Sequence, residues 1–287
     1  MSEPGIPFPY SIERPSVYLH TRPDIVSDVC DELMFGTRLQ LHAASDTTNE
    51  PSLLEEGSWS RVKTDYGYCG YIQTRYLSNE MPEAGEVLFP YYVVAPFCDV
   101  LADSVYKYRP LFTLPRTSVV YARRENVGAD RFFPILYRSK RFFVPSAALR
   151  PKERKKQGAQ EPERLRRMIC DDALSYLGTP YRWGGRSPCG IDCSGLCFNA
   201  YLLNGLMLWR DAFADRRYVH EINESELLPG DLIYFKGHMG LYIGDGEYIH
   251  SSAAAGCVTV NSLHKGSIIW RRDLADKLIC FARSNSL

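Results

Sequence analysis

The sequence predicts an α+β chain, in which a domain with an antiparallel sheet at 165–287 follows two small all-β barrels at 1–82 and 83–152 and a linker at 153–164. Three observations predict it. Up to Pro145, short β-like runs alternate with turn residues; from Glu163 apolar residues recur at helical spacing; beyond Pro229 the runs become β-like again. Helices first and strands afterwards favour an antiparallel sheet with its helices segregated.

The first barrel rests on Val17–His20, Arg38–His42, Trp59–Thr64 and Gly70–Ile72. Alternation, with Gly and Asp between the runs, argues for strands rather than helices. Arg22-Pro23, Phe35-Gly36 and Asp65-Tyr66-Gly67-Tyr68-Cys69-Gly70-Tyr71-Ile72 come in an order that resembles a bacterial SH3-like domain. Tyr91–Val94, Thr117–Tyr121, Phe132–Tyr137 and Arg141–Pro145 repeat the grammar more faintly, as a divergent second barrel. The charge-rich run Lys152–Arg167, with Gly158 and Pro162, is read as a solvated linker entering a helix.

In that helix Leu165, Met168, Ile169, Ala173, Leu174 and Leu177 form the apolar stripe, until Gly178 and Pro180 stop it. Cys193 opens a second helix, apolar enough to be buried, and Asp211–Ile222 is a candidate short third. Leu232–Phe235, Gly240–Ile243, Tyr248–His250, Cys257–Val260 and Leu278–Phe281 are the expected strands.

Composition narrows the partners. The 34 basic residues balance 34 acidic ones, so neither nucleic acid nor an anionic membrane is expected as a partner. The N-terminus lacks a basic region followed by an apolar one and no segment is apolar enough to span a bilayer, so a cytoplasmic location is expected. Nine cysteines, an odd number at low density, read as mostly reduced thiols. Cys189, Cys193 and Cys197 lack the Cys-x2-Cys knuckle of a zinc site, so no metal and no cofactor is expected.

The chemistry centres on Tyr181–Leu196, an aromatic, glycine-rich loop that runs into Asp192-Cys193-Ser194-Gly195. A cysteine at a helix N-terminus meets unpaired N–H groups and a dipole that favour thiolate, which makes Cys193 the candidate nucleophile. Attack on an amide also needs a base and a group to orient it. A turn at Gly244-Asp245-Gly246 folds two strands into a hairpin carrying His238 and His250, so His238 is the candidate base and His250 its orienter.

Tyr-Arg-Trp-Gly-Gly (181–185), Ile-Asp-Cys-Ser-Gly-Leu (191–196), Leu-Trp-Arg-Asp-Ala (208–212), Pro-Gly-Asp-Leu-Ile-Tyr-Phe (229–235), His-Met-Gly-Leu-Tyr-Ile-Gly (238–244) and Tyr-Ile-His-Ser (248–251) together resemble the NlpC-type cysteine peptidases, papain-like hydrolases of peptidoglycan peptides. With SH3-like domains upstream, the resemblance points to enzymes that cleave the γ-D-glutamyl to L-diamino-acid bond of recycled murein stem peptides with a free N-terminal L-Ala. It implies Cys193 as nucleophile, His238 as base, His250 as third polar residue and Tyr181, with the Cys193 N–H, at the oxyanion site. It also implies Asp192 and Ser194 around the substrate's ammonium, Trp183 and Asp211 as pocket walls, and Tyr68 and Glu32 of the first barrel closing the groove. Trp209 stands where relatives commonly carry proline and Ala212 where serine is frequent.

Plainer readings compete. Trp183 with Gly184 and Gly185 can be a packed turn, Asp192 a helix cap that also binds substrate, and Tyr68 and Glu32 ordinary barrel residues. Competing functions are an amidase or transpeptidase on another cell-wall amide, and a wall-binding module without catalysis.

Overall fold

The computed structural model describes residues 8–42, 58–79, 88–104, 110–122, 131–138, 140–152 and 161–287. Most of the linker expected at 153–164 lies outside the described residues. The chain divides into two compact units, Met1–Lys152 and Glu153–Leu287.

Among the described residues the first unit is all-β apart from single 3-10 turns. Seven strands form one antiparallel sheet with Val29–Met34 at one edge and Leu77–Ser78 at the other. A second sheet of five strands runs from Lys140–Pro145 to Leu149–Pro151, and Phe97–Val100 with Phe112–Pro115 makes a separate hairpin. Neither sheet closes on itself, so the expected barrels are open. In the first sheet Leu77 and Ser78, which follow the turn Thr74–Tyr76, pair with Tyr10–Ile12 rather than with the Val29–Met34 edge. The two halves also share their core. Phe35, from the first half, is buried in the apolar cluster of Val93, Val100, Leu114, Val120, Phe133 and Val144, and its carbonyl accepts from Val119 N at 2.8 Å.

The Val29–Met34 strand pairs with Ser16–His20 and is absent from the sequence expectation. Its Asp31 and Glu32 are buried, which breaks the polar-out alternation that marks a strand. Asp31 is held by the Tyr66 hydroxyl, which donates to Oδ2.

In the second unit, the helices Glu161–Leu174 and Cys193–Leu202 pack on a six-stranded antiparallel sheet. The order is Val219–Ile222, Leu278–Ser284, Leu232–Phe235, His238–Gly244, Glu247–Ser252, Cys257–Ser262. Leu165, Ile169 and Ala173 of the first helix are buried as their spacing requires. Leu177 is 52% exposed, because the helix ends at Leu174 and the chain has turned before reaching it. All ten residues of the second helix are buried, in keeping with a sequence that is apolar on every side.

The third helix expected at Asp211–Ile222 does not form. Residues 211–218 are turns and bends, fixed by Trp209 against Phe213 and Tyr218 and by the Arg217 guanidinium over the Trp209 ring. Val219–Ile222 is instead an edge strand beside the C-terminal one, and the short third helix is Arg272–Ala275. No helix among the described residues is long and apolar enough to cross a membrane.

Two tight hairpins set the central strands. Phe235 pairs with His238 across a two-residue turn, Lys236-Gly237, where Gly237 has φ +71°, a conformation that favours glycine. The next turn, Asp245-Gly246, has positive φ at both residues, and a bulge at Tyr242–Gly244 shifts the ladder before it.

Candidate active site

Cys193 is the first residue of its helix and is 7% exposed. Asp192 is the N-cap: its backbone is extended, and Oδ1 accepts from Gly195 N at 2.6 Å. The preceding loop is fixed by close backbone approach, with Asp192 N donating to Gly185 O at 3.1 Å and Gly184 N donating to Asp192 Oδ2 at 2.9 Å.

Asp192 is more than a cap. Arg210 donates from one guanidinium nitrogen to Oδ1 and from the other to Oδ2, both at 3.0 Å, and also to Ser194 Oγ at 2.9 Å. Ser194 Oγ in turn donates to Asp192 Oδ1 at 3.2 Å. A carboxylate offers about four lone-pair positions. Those of Asp192 are filled from within the chain, by the cap, the loop, Ser194 and Arg210. Arg210 stands in the Leu-Trp-Arg-Asp-Ala motif, where the sequence alone assigns it no role. The available signal was a lone cation after the apolar run Leu206-Met207-Leu208-Trp209.

The other side of the site comes from the sheet. The hydrogen bonds drawn to the Cys193 sulfur come from the backbone N–H groups of Met239 and Ser194, so the strand that begins with His238 lies against the thiol. His238 Nε2 and His250 Nδ1 are 2.7 Å apart, with the rings edge to face. The pair continues, because His250 Nε2 lies 2.8 Å from Asn261 Oδ1. Asn261, on the neighbouring strand Cys257–Ser262, is absent from the sequence expectation because its partner is found only across the ladder.

Burial dominates the electrostatics. It pushes the Cys193 thiol up to about 11, with Asp192 adding to the rise and the Met239 and Ser194 amides and Arg210 opposing it. Burial likewise takes His238 down to about 3, helped by His250 and Lys277, and lowers His250, which Asn261 partly offsets. Burial thus opposes the thiolate that the helix start favours and favours the neutral form of both groups. Tyr181 is raised to about 12 by burial, then by Cys193 and Asp192, and stays a phenol able to donate.

Tyr181 is positioned by its N–H to Gly256 O at 2.8 Å and by a bridge to Ile191, the residue before Asp192. Trp183 is 69% exposed, so it is not a packed turn residue. Asp211 is half-buried beside Arg210 in sequence. The structure thus gathers Tyr181, Asp192, Cys193, Ser194 and Arg210 on one side and His238, His250 and Asn261 on the other. Glu32, which is buried, and Tyr68, whose N–H donates to Thr64 Oγ1 at 2.9 Å, belong to the first unit. Among the described residues no cluster of three or more His, Cys, Asp or Glu suits a metal ion, and all nine cysteines are free thiols.

The NlpC/P60 family model matches residues 178–275, which contain Cys193, His238, His250 and Asn261. Dipeptidyl-peptidase 6 of Lysinibacillus sphaericus is 33% identical over 266 residues, covering 90% of this chain and 92% of its own. The gamma-D-glutamyl-L-lysine dipeptidyl-peptidase of Bacillus subtilis (strain 168) is 32% identical over 122 residues, 40% of each chain. The solved structure of an NlpC/P60 family protein from Bacillus cereus ATCC 10987 superposes with a TM-score of 0.75 at 19% identity, over 96% of this chain and 99% of that one, a likeness of fold. With a relative of that identity matched along nearly its whole length, the chain belongs to the NlpC/P60 family and carries its papain-like fold, mostly β with few helices.

Proposed function

We propose that this chain is a cysteine endopeptidase that hydrolyses the γ-D-glutamyl to L-diamino-acid bond of peptidoglycan stem peptides with a free N-terminal L-Ala, in the recycling of cell-wall peptides. The observation that carries the reading is a buried cysteine at a helix start, set against the strand that begins with a histidine paired to a second one. The names of the two relatives, a dipeptidyl-peptidase and a gamma-D-glutamyl-L-lysine dipeptidyl-peptidase, support the bond chosen.

The sulfur gives its proton to His238 as it attacks the γ-D-glutamyl carbonyl carbon, burial favouring the neutral form of both groups beforehand. The oxyanion so formed is stabilised by the Cys193 N–H, unpaired at the first helical position, and by the Tyr181 hydroxyl. His238 passes the proton to the departing α-amine of the diamino acid, leaving a thioester on Cys193. Water then attacks the thioester, giving a proton to His238, and the thiol is restored when that proton returns to sulfur.

Asp192 and Ser194 line the subsite for the peptide's amino end as an ion-paired, polar wall, since Arg210 already neutralises the carboxylate. The test is mass spectrometry of products from L-Ala-γ-D-Glu-diaminopimelate with free and acetylated N-termini. Scission of the γ-glutamyl bond in the free peptide, lost in Cys193→Ala and slowed by acetylation, is expected. A different scissile bond removes the substrate reading, and equal rates for the two peptides remove the free-amine preference.

A further inference from the structure

We infer that Asn261 is a positioning residue that sets the proton arrangement of both histidines, so that the nitrogen left to His238 for the thiol is the unprotonated Nδ1. Its effect on turnover rests on the cysteine-peptidase reading; the proton arrangement itself does not.

The argument starts at the far end of the chain of hydrogen bonds. Asn261 Nδ2 donates to Ile269 O at 2.6 Å, and the same carbonyl accepts from Ser262 N at 3.2 Å. A carbonyl oxygen cannot donate, so the amide is fixed: turned over, it would set oxygen against oxygen at that short distance. Its Oδ1 must then face His250 Nε2, 2.8 Å away, and that nitrogen has to be the N–H. His250 is fully buried and burial favours its neutral form, so its Nδ1 carries a lone pair. The 2.7 Å contact with His238 Nε2 therefore needs the proton on His238. A neutral imidazole with hydrogen on Nε2 keeps Nδ1 bare.

Each link donates in the same direction, from His238 to His250 to Asn261, while Asn261 itself is anchored by a donor. When His238 takes up the sulfur's proton at Nδ1, no other link has to change. An amide suits the end of this chain because it does not titrate, whereas an ionised carboxylate facing Ile269 O would lack the anchoring donor. The charged groups nearest the pair, Arg271, Asp273 and Lys277, act on the histidines through space rather than by hydrogen bonds to their rings.

The test is long-range proton–nitrogen NMR on histidine-labelled, full-length protein at pH 7.5, with signals assigned by His238→Gln and His250→Gln. Nε2–H forms of both residues are expected in the parent. In Asn261→Leu, His250 should become a mixture of forms and kcat should fall about 100-fold, with KM within about 2-fold. Asn261→Asp, which keeps an acceptor but not the anchor, should restore the Nε2–H form and much of kcat. An Nδ1–H form of His250 in the parent overturns the inference, as does Asn261→Leu with parental spectra and turnover. Should Asn261→Leu fail to fold by circular dichroism, the parent and Asn261→Asp spectra decide. If the parent cleaves no γ-glutamyl peptide, the proposed function fails while the spectra still judge the proton arrangement.

Discussion

Arg210 holds Asp192 through two parallel hydrogen bonds of 3.0 Å each, and both side chains are almost fully withdrawn from solvent. The carboxylate that caps the Cys193 helix is thus also one half of a buried ion pair. Removing one partner of such a pair is costly because the other is left charged in a poorly solvating place. Arg210→Met is expected to destabilise the fold by about 3 kcal/mol, read from the urea midpoint. Arg210→Lys keeps the charge but not the two-pronged geometry, and should fall between. Equal stability of Arg210→Met and the parent would show that the pair contributes nothing.

The displaced ionisation of Cys193 and His238 makes stability pH-dependent at both ends. Once unfolded, His238 takes up a proton near its ordinary value of about 6.5, but in the folded chain only at about 3. Acid therefore favours the unfolded state, and stability should be full above pH ~6.5 and decline from there toward ~3. His250, also lowered, contributes to the same slope. His238→Gln should flatten part of it in urea titrations between pH 4 and 7.

At alkaline pH the roles reverse. The unfolded thiol ionises near 9 and the folded one near 11, so stability is lost between these values as pH rises. The same displacement predicts that alkylation of Cys193 by iodoacetamide keeps accelerating through pH 9 in the free enzyme. A plateau reached by pH 7 would mean that the thiolate already exists at rest.

Gly240 leaves room for Tyr248 and His250 of the neighbouring strand. A methyl group there would lie 2.9 Å from Tyr248 Cδ2, 3.3 Å from Ile249 O and 3.4 Å from His250 Cβ. Gly240→Ala should displace His250 and lower kcat more than it raises KM, with a loss of about 1–3 kcal/mol in stability. Steady-state kinetics and a thermal melt on the same preparation check both.

Asp231 pins the sheet to the first helix. It is fully buried, accepts from Arg166 at 2.9 Å and from Arg283 at 3.0 and 2.7 Å, and also takes Leu228 N at 2.9 Å. Asp231→Ala should cost about 3 kcal/mol, seen as an earlier urea midpoint, without changing the Nε2–H spectra of the two histidines.

What was legible in the sequence was whatever local pattern decides. The Cys193 helix announces itself through Asp192 and an apolar run, and the His238–His250 pair through a hairpin whose turn residues are adjacent in sequence. Partners set by distant packing were not legible. Asn261 meets His250 only once two strands are in register, and Arg210 meets Asp192 only when a loop returns to the helix start. Asp211–Ile222 contains good helix formers, yet its conformation is decided by an aromatic cluster and by a C-terminal strand some sixty residues away. The Val29–Met34 strand was hidden because its acids point inward.

The bulge at Tyr242–Gly244 bears on how this site can vary among sequences. His238, His250 and Asn261 sit on three consecutive strands, with separations of 12 and 11 residues along the chain. The bulge absorbs one extra residue on the His238 strand, since Tyr242 pairs with Tyr248 while Gly244 pairs with Glu247, so losing that residue would leave the Tyr242–Tyr248 register and the face of His238 unchanged. The separation of 12 residues between the histidines is therefore not rigid, and a relative that lacks the bulged residue but keeps both histidines would be expected to keep the relay.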